Sequence, residues 1–401
     1  MKHGRVAPVL WLIPAIYFLF VAGEIAASTH LALTLTQQGR SALAVGLMGS
    51  MLWLGLFAGS TRAYVLVARH GHAAVVLAST VAATLALATL ALHTHYIGWL
   101  AGVFTLGLGG GMVWVAGEAW LAEVAPAAQR GLYVGLFETS VGLAMMAGPA
   151  TLPLAIWLGV NPLWLALASM ASALLACLAL SRQPGPPPHA QDLEVAASMP
   201  GAQPAVPAWR RVALPLAAVA VIGGLMESGV STMLPSIALR LGFDLQAAAW
   251  LGAVIGAGSA MLQSPFGLLA DRAGLRRAMA LAWALIITAA AAMLLWADQP
   301  ERMLWAVGFV LGGVGGAVYT LVVIELGHRL GGSGLVKAMG LLVTAYTGGT
   351  ASGPVLGGWL FDQAGLGGLA SALLCLAMLG AFLAWRGLRL AAATTLPALP
   401  G

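Results

Sequence analysis

Long apolar runs occupy most of this chain and limit its fold more than any other feature. A helix of about 20 apolar residues crosses the hydrocarbon core of a bilayer, and the sequence contains twelve runs of that kind. Only 8% of the 401 residues are charged, whereas soluble proteins carry about 25%. We therefore predict an all-α membrane protein with twelve transmembrane helices. The predicted spans are 8–31, 42–66, 73–92, 96–120, 130–156, 162–181, 211–236, 245–269, 277–297, 302–327, 336–361 and 366–386.

The basic residues predict how these spans are oriented. Of the 18 Lys and Arg residues, all but Arg40, Arg240 and Arg302 fall at helix ends on one side of the predicted topology. Because basic connections stay in the cytosol, both termini are predicted to be cytosolic. The basic residues behind the net charge of +5 are expected to orient the protein in the lipid bilayer. No nucleic-acid partner is expected. Cys177 and Cys375 lie inside apolar runs, so neither a disulfide framework nor a metal site is expected.

Two similar halves are predicted on either side of a proline-rich segment, residues 182–210. This segment cannot bury itself and is interpreted as a cytosolic linker between a first half, 1–181, and a second half, 211–401. Glu24 recurs as Glu227, 203 positions later, and each is followed four residues on by Ser-Thr. Glycines and prolines recur at offsets of 203 to 205. These pairs are Gly49 and Gly252, Gly55 and Gly258, and Gly148-Pro149 and Gly353-Pro354. The pattern indicates an internal duplication.

Residues 267–277 read Gly-Leu-Leu-Ala-Asp-Arg-Ala-Gly-Leu-Arg-Arg, between two apolar runs. We predict a short cytosolic turn in which Gly267 and Gly274 allow close helix approach and a tight reversal. Asp271 could accept hydrogen bonds from the N-terminus of a neighbouring helix, and the arginines hold the turn in the cytosol. The pattern of this stretch is carried by Gly267, Asp271, Arg272, Gly274, Arg276 and Arg277.

This stretch resembles the signature loop of the major facilitator superfamily, G-x-L-a-D-r-x-G-r-r. The resemblance implies gating roles for Gly267, Asp271, Arg272, Gly274, Arg276 and Arg277. The resemblance implies two six-helix bundles, a cavity lined by helices 1, 4, 7 and 10, and secondary transport of a small molecule by a monomer in a bacterial inner membrane. The first-half copy departs, because Ala68 and Tyr64 stand where the second half has Asp271 and Gly267. The glycines and Pro354 in 340–358 resemble the helix 5 pattern of the family's exporters. No Walker phosphate loop is present, so neither ATP nor another cofactor is expected.

Five glutamates fall inside predicted spans, where a charge costs about 2.5–3.5 kcal/mol on insertion scales. Glu24 and Glu227 lie roughly 24 Å from the cytosolic ends of their helices, and the resemblance implies that both face the cavity. Burial favours the neutral form of a carboxyl group, as proton exchange requires, although each could instead make a structural hydrogen bond. Glu138, about 12 Å deep, is a candidate for binding. Glu118 and Glu325 lie near cytosolic helix ends and are assigned to gating. Glu118 is expected to pair with Arg62 or Arg69 unless it has a transport role.

Aromatic residues complete the predicted site. Trp114 and Tyr319 occupy matching places in helices 4 and 10, where they could stack on a flat or cationic ligand or simply pack. No Lys or Arg lies deep in a predicted span. We therefore predict a proton-coupled exporter, an antiporter, of small cationic or amphipathic molecules. The alternatives are a proton symporter that imports a small nutrient and a non-transporting receptor or scaffold. No nucleophile–base pair is visible, so no catalytic residue is assigned and an enzyme is not expected.

Overall fold

The computed structural model describes residues 7–93, 95–126, 129–182, 208–296, 299–330 and 332–392. The secondary-structure elements among them are helices. The first ten are α1 Ala7–Gln37, α2 Ala42–His70, α3 His72–Leu92, α4 Tyr96–Val124, α5 Arg130–Leu158, α6 Pro162–Ser181, α7 Ala208–Arg240, α8 Leu245–Ala273, α9 Leu275–Leu295 and α10 Pro300–Arg329.

The remaining helical stretch, Gly332–Ala392, contains two spans. As one straight helix its 61 residues would extend about 92 Å, three times the hydrocarbon thickness. Gly365 is not helical, with φ 61° and ψ −159°, and the chain reverses there. Leu356 and Leu373 would be about 25 Å apart in a straight helix, yet they line one apolar crevice. We call the two parts α11, residues 332–364, and α12, residues 366–392. The predicted all-α fold with twelve spans is confirmed.

Several helices continue beyond their predicted ends. Helix α1 extends to Gln37 rather than 31, and α2 extends to His70 rather than 66. The prediction that 267–277 is a turn is wrong for most of its length, because α8 runs to Ala273 and α9 begins at Leu275. Gly274 alone makes the reversal with φ 92°, a conformation that glycine adopts without steric cost.

The helices pack as two groups with the same pattern. Helix α1 packs on α4, α5 and α6, and α3 packs on α4 and α6. In the second group α7 packs on α10 and on Gly332–Ala392, and α9 packs on the same two elements. The predicted boundaries of the halves, 1–181 and 211–401, stay a prediction. Of the predicted linker 182–210, residues 183–207 lie outside the described part of the chain.

Two seams join the groups, one between α2 and α11 and the other between α5 and α8. A methyl group added at Gly49 would lie 3.3 Å from Cβ of Pro354, and one added at Gly252 would lie 3.0 Å from Cβ of Pro149. The duplicated glycines and prolines therefore face each other across equivalent seams. These approaches lie toward the α1–α2 and α7–α8 connections, which we call the closed side. The opposite side, where α6 ends and α7 begins, is the linker side.

Candidate functional site

Two buried glutamates lie at matching places in the two groups of helices. Glu24 on α1 is 4% exposed and Glu227 on α7 is 9% exposed. They are about 26 and 28 Å from the linker-side ends of their helices. Both pack against glycine-rich stretches. A methyl group added at Gly110 of α4 would lie 2.9 Å from Oε1 of Glu24, and one at Gly315 of α10 would lie 3.0 Å from Cβ of Glu227. These glycines provide the room that the two carboxyl groups occupy.

The hydrogen bonding of the two glutamates differs. The hydroxyl of Tyr346 on α11 donates to Oε2 of Glu227 at 2.6 Å. Oε1 of Glu24 is buried and has no hydrogen-bond partner among the described residues. At the offset of 205 that relates α5 to α11, Val141 corresponds to Tyr346. The second half therefore supplies a hydroxyl donor that the first half lacks, and the duplicated carboxyl groups are chemically distinct.

Neutral polar groups and an aromatic pair surround Glu227. The rings of Tyr319 and Tyr346 lie 4.4 Å apart between centroids at an interplanar angle of 37°. Nε2 of Gln263 on α8 donates to Oγ of Ser259 at 2.8 Å. A methyl group added at Gly316 would lie 2.5 Å from Nε2 of Gln263 and 3.3 Å from Oε1 of Glu227. The amide and the carboxyl group therefore both lie close to Gly316.

A second aromatic group lies beside the first-half glutamates. The ring of Tyr17 on α1 stacks on Phe137 of α5 at 4.6 Å and meets Trp114 of α4 edge-on at 5.8 Å. Tyr17 interacts electrostatically with Glu24, Glu138 and Glu118, so it lies among all three acids. Glu138 is exposed and Glu118 is half-buried, in keeping with their smaller depths of about 12 and 9 Å from the linker-side helix ends.

Glu118 lies within electrostatic range of an aromatic residue in the other group of helices. Its carboxylate accepts a hydrogen bond from the Trp114 side chain one turn earlier on α4, and it interacts electrostatically with Tyr319 of the second half. The predicted ion pair of Glu118 with Arg62 or Arg69 is absent among the described residues. Trp114 takes that place because residues four apart share one helix face. We call the assembled set the central cluster: Tyr17, Glu24, Trp114, Glu118, Glu138, Glu227, Tyr319 and Tyr346.

The remaining predicted gating residues lie away from the central cluster. Glu325 is buried near the linker-side end of α10 and forms an ion pair with Arg329 one turn later. Asp271 is exposed beside the α8–α9 reversal, and it accepts no hydrogen bond from a helix N-terminus in the described part of the chain. The predicted close approach at Gly267 is wrong in this conformation, since nothing lies within 4 Å of a methyl group placed there. Arg272, Arg276 and Arg277 are exposed on the same side.

Comparison with known proteins identifies the family of this chain. The family model described as Major Facilitator Superfamily matches residues 15–257 and 216–400, which together span nearly the whole sequence. The chain belongs to the major facilitator superfamily. A relative in Bacillus subtilis (strain 168), the uncharacterized MFS-type transporter YfkF, is 24% identical over 270 residues. The match covers 65% of this chain and 66% of YfkF, so it spans just under two thirds of that relative's length.

Solved structures of other superfamily members share the fold. A bacterial homologue of the human lysosomal transporter Spinster, inward-facing and occupied, has a TM-score of 0.74 at 14% identity, covering 97% of this chain and 98% of that one. The nucleoside transporter NupG has a TM-score of 0.72 at 12% identity, covering 95% and 99%. A D-xylose–proton symporter has 0.71 at 14%, covering 96% and 98%. At these identities the likeness shows the fold alone.

Three side chains near Glu24 and Glu227 were not predicted from the sequence of this superfamily member: Tyr17, Tyr346 and Gln263. Tyr17 precedes Glu24 by seven residues, two turns on the same face of α1, so helical periodicity could have found it. Tyr346 contacts Glu227 and Gln263 lies near it, each from a helix far away in the sequence, and no local pattern marks them. In the described part of the chain the deepest Lys or Arg is Arg62, exposed and about 12 Å inside α2. Glu24 and Glu227 therefore lie deeper than every described basic residue.

Proposed function

We propose that this protein is a proton-coupled exporter, an antiporter, of small cationic or amphipathic molecules. It acts as a monomer in a bacterial inner membrane, with its termini and the 182–210 segment in the cytosol. One observation carries the proposal: the central cluster contains four glutamates and several aromatic rings. Its deepest acids, Glu24 and Glu227, lie farther from the helix ends than every described Lys and Arg. Membership of a family of transporters provides the mode of action.

The acids favour a cationic substrate. A carboxylate about 4 Å from a cation gives roughly 4 kcal/mol of attraction at an effective dielectric constant near 20. Aromatic faces such as those of Trp114 and Tyr319 add about 0.5–2 kcal/mol for a cation that stacks on them. An anionic substrate would instead need a basic partner for its charge. The described residues at the depth of Glu24 and Glu227 offer none, so a cation or a neutral amphipathic molecule is the better match.

The same carboxyl groups support proton exchange. Glu24 and Glu227 are both buried, and only Glu227 has a hydrogen-bond donor, the hydroxyl of Tyr346, among the described residues. A buried carboxylate is costly unless a cation or polar groups compensate its charge. A bound cation and a proton therefore compete for the same oxygens. Binding the substrate releases protons, and protonation releases the substrate. This competition is what couples the two fluxes in opposite directions.

The proposed orientation gives the direction of loading. Arg40, Arg240 and Arg302 lie on the closed side and the other described Lys and Arg lie on the linker side. By the positive-inside rule the linker side faces the cytosol. The seams run from the closed side to about the middle of the helices, so substrate would enter from the cytosol through the linker side, past Glu118 and Glu138.

A proton symporter that imports a polar nutrient is the second candidate. The observation that favours it is the group of neutral donors and acceptors beside Glu227, which comprises Tyr346, Gln263 and Ser259. A hydroxylated neutral solute would bind such groups without competing with the proton. Competition between substrate and proton therefore distinguishes the two candidates, because symport requires the two to bind together.

The test uses purified protein in liposomes with an imposed pH gradient. A fluorescent organic cation should move against the proton flux, and Glu24→Gln or Glu227→Gln should abolish its dependence on the gradient. Glu301→Gln is the matched control, since Glu301 is an exposed acid in the first turn of α10 on the closed side. If the double variant Glu24→Gln/Glu227→Gln keeps the full pH-driven flux, the proposal is wrong.

A further inference from the structure

The N-terminus of α2 is capped by a carboxylate from the other half of the protein. The backbone N–H groups of Ala42 and Leu43 donate to Oδ1 and Oδ2 of Asp362, each at 2.8 Å. Asp362 is near the end of α11, about 320 residues later in the chain. Ser41 caps the same turn locally, since its Oγ accepts from the N–H of Ala44 at 3.2 Å.

This contact satisfies groups that a helix cannot satisfy by itself. The first four N–H groups of a helix have no partner within it, and the positive end of the helix dipole favours an anion there. Asp362 serves two of these N–H groups with both of its oxygens. Gly358, one turn earlier in α11, makes the approach possible, because a methyl group at that position would lie 3.0 Å from Cα of Leu43.

We propose that Asp362 is a latch that holds the two halves together on the closed side. Opening this side moves α2 away from α11, so both hydrogen bonds of Asp362 must break in that step. The proposal rests on the proposed function only in requiring that the halves separate here. It depends neither on the substrate nor on protons.

The latch belongs to one of the two seams. At the other seam, the N-terminus of α8 is capped by its own Asp244, whose Oδ1 accepts from the N–H of Ala247 at 2.7 Å. The α5 residue that corresponds to Asp362 at the offset of 205 is Trp157, which is 80% exposed. Both helix ends therefore have a local side-chain cap, Ser41 at α2 and Asp244 at α8, and among the described residues α2 alone has an additional cap from the other half.

A second contact between the halves lies on the same side. The guanidinium group of Arg240, at the end of α7, donates to the backbone carbonyl of Arg40 in the α1–α2 connection. The guanidinium of Arg40 in turn lies 5.8 Å from the ring centroid of Tyr96. Asp362 and Arg240 thus hold both ends of the short segment 40–43, and Asp362 supplies the two bonds that a substitution can remove cleanly.

The experiment measures how often the closed side opens. Val45 is fully buried and shares the α2 face of Ala42 and Gly49, so a thiol in Val45→Cys reacts only when the seam separates. The background is the full-length protein carrying Cys177→Ala and Cys375→Ala, and the probe is a maleimide. Asp362→Ala should raise the alkylation rate about tenfold, equivalent to about 1.4 kcal/mol in the opening equilibrium. Asp362→Asn should give a smaller increase, because its amide keeps one acceptor oxygen.

Asp244→Ala is the matched control, because it removes a helix cap on the same side but within one half. It should leave the alkylation rate of Val45→Cys unchanged, and Gln38→Cys, which is exposed, should react equally fast in all variants. Thermal unfolding identifies a variant that fails to fold, in which case Asp362→Asn gives the answer. An unchanged rate in the folded Asp362 variants, or an equal increase in Asp244→Ala, would overturn the proposal. Loss of proton-coupled export would leave this readout unaffected.

Discussion

The substitution Gly256→Ala, which adds one methyl group, tests whether the α5–α8 seam separates when the closed side opens. A methyl group at this position would lie 2.6 Å from the backbone N of Met146, roughly 0.8 Å short of ordinary van der Waals contact. Backbone on both sides of the seam cannot rotate away as a side chain can. Overpacking of this kind costs about 1–3 kcal/mol, and it destabilises only the conformation in which the seam is closed. Gly256→Ala should therefore raise the ratio of open to closed protein by about 5- to 150-fold.

Two measurements check this expectation. The alkylation rate of Val45→Cys should rise with Gly256→Ala although Val45 lies on the other seam, because the two halves separate as units. Gly267→Ala is the control on the same helix, since its methyl group meets nothing within 4 Å and the change raises helix propensity. Equal alkylation rates in the two alanine variants would refute the reasoning.

Further predictions concern Asp271 and the central cluster. Asp271→Asn should slow turnover in liposomes while substrate Kd stays within about threefold, or ~0.7 kcal/mol, because Asp271 lies outside the cluster; a large loss of affinity would contradict this. In matched series of organic ions, monocations should bind more tightly than dianions of the same size, as measured by calorimetry. The affinity of the monocations should rise between pH 5 and pH 8 as carboxyl groups lose protons. Tight binding of a dianion that is unchanged in the triple variant Glu24→Gln/Glu138→Gln/Glu227→Gln would exclude a cation site.

The long apolar runs of the sequence were sufficient to predict the helices. Runs of about 20 apolar residues have few alternatives in a bilayer, so the twelve spans and the fold class are confirmed. Helix ends were predicted less well, because the structure connects α2 to α3 and α8 to α9 through one glycine each, Gly71 and Gly274. A sequence such as 267–277 fits a turn as well as a helix end. It was predicted to be a turn, whereas most of it is helical.

The central cluster could be predicted only in part, for a physical reason. Glu24 and Glu227 were selected because a charge at membrane depth is costly and so marks a position. Trp114 was selected because it occupies the place in helix 4 that Tyr319 has in helix 10. Their partners carry no such mark. Tyr346 and Phe137 are ordinary residues of apolar helices until the fold brings α11 to α7 and α5 to α1. Glu118 shows the opposite error, since two arginines looked suitable in sequence while an indole one turn away was closer in space.

The single-glycine connections add little mass outside the bilayer. Gly71, Gly274 and Gly365 each reverse the chain alone, so these connections give cryo-electron microscopy few features for aligning particles inside a detergent micelle. The closed side does offer an epitope, because Arg40 and Arg240 come from different halves and meet there. An antibody fragment selected against this composite surface would bind only while the halves touch, and it would serve both as an alignment marker and as a sensor of conformation.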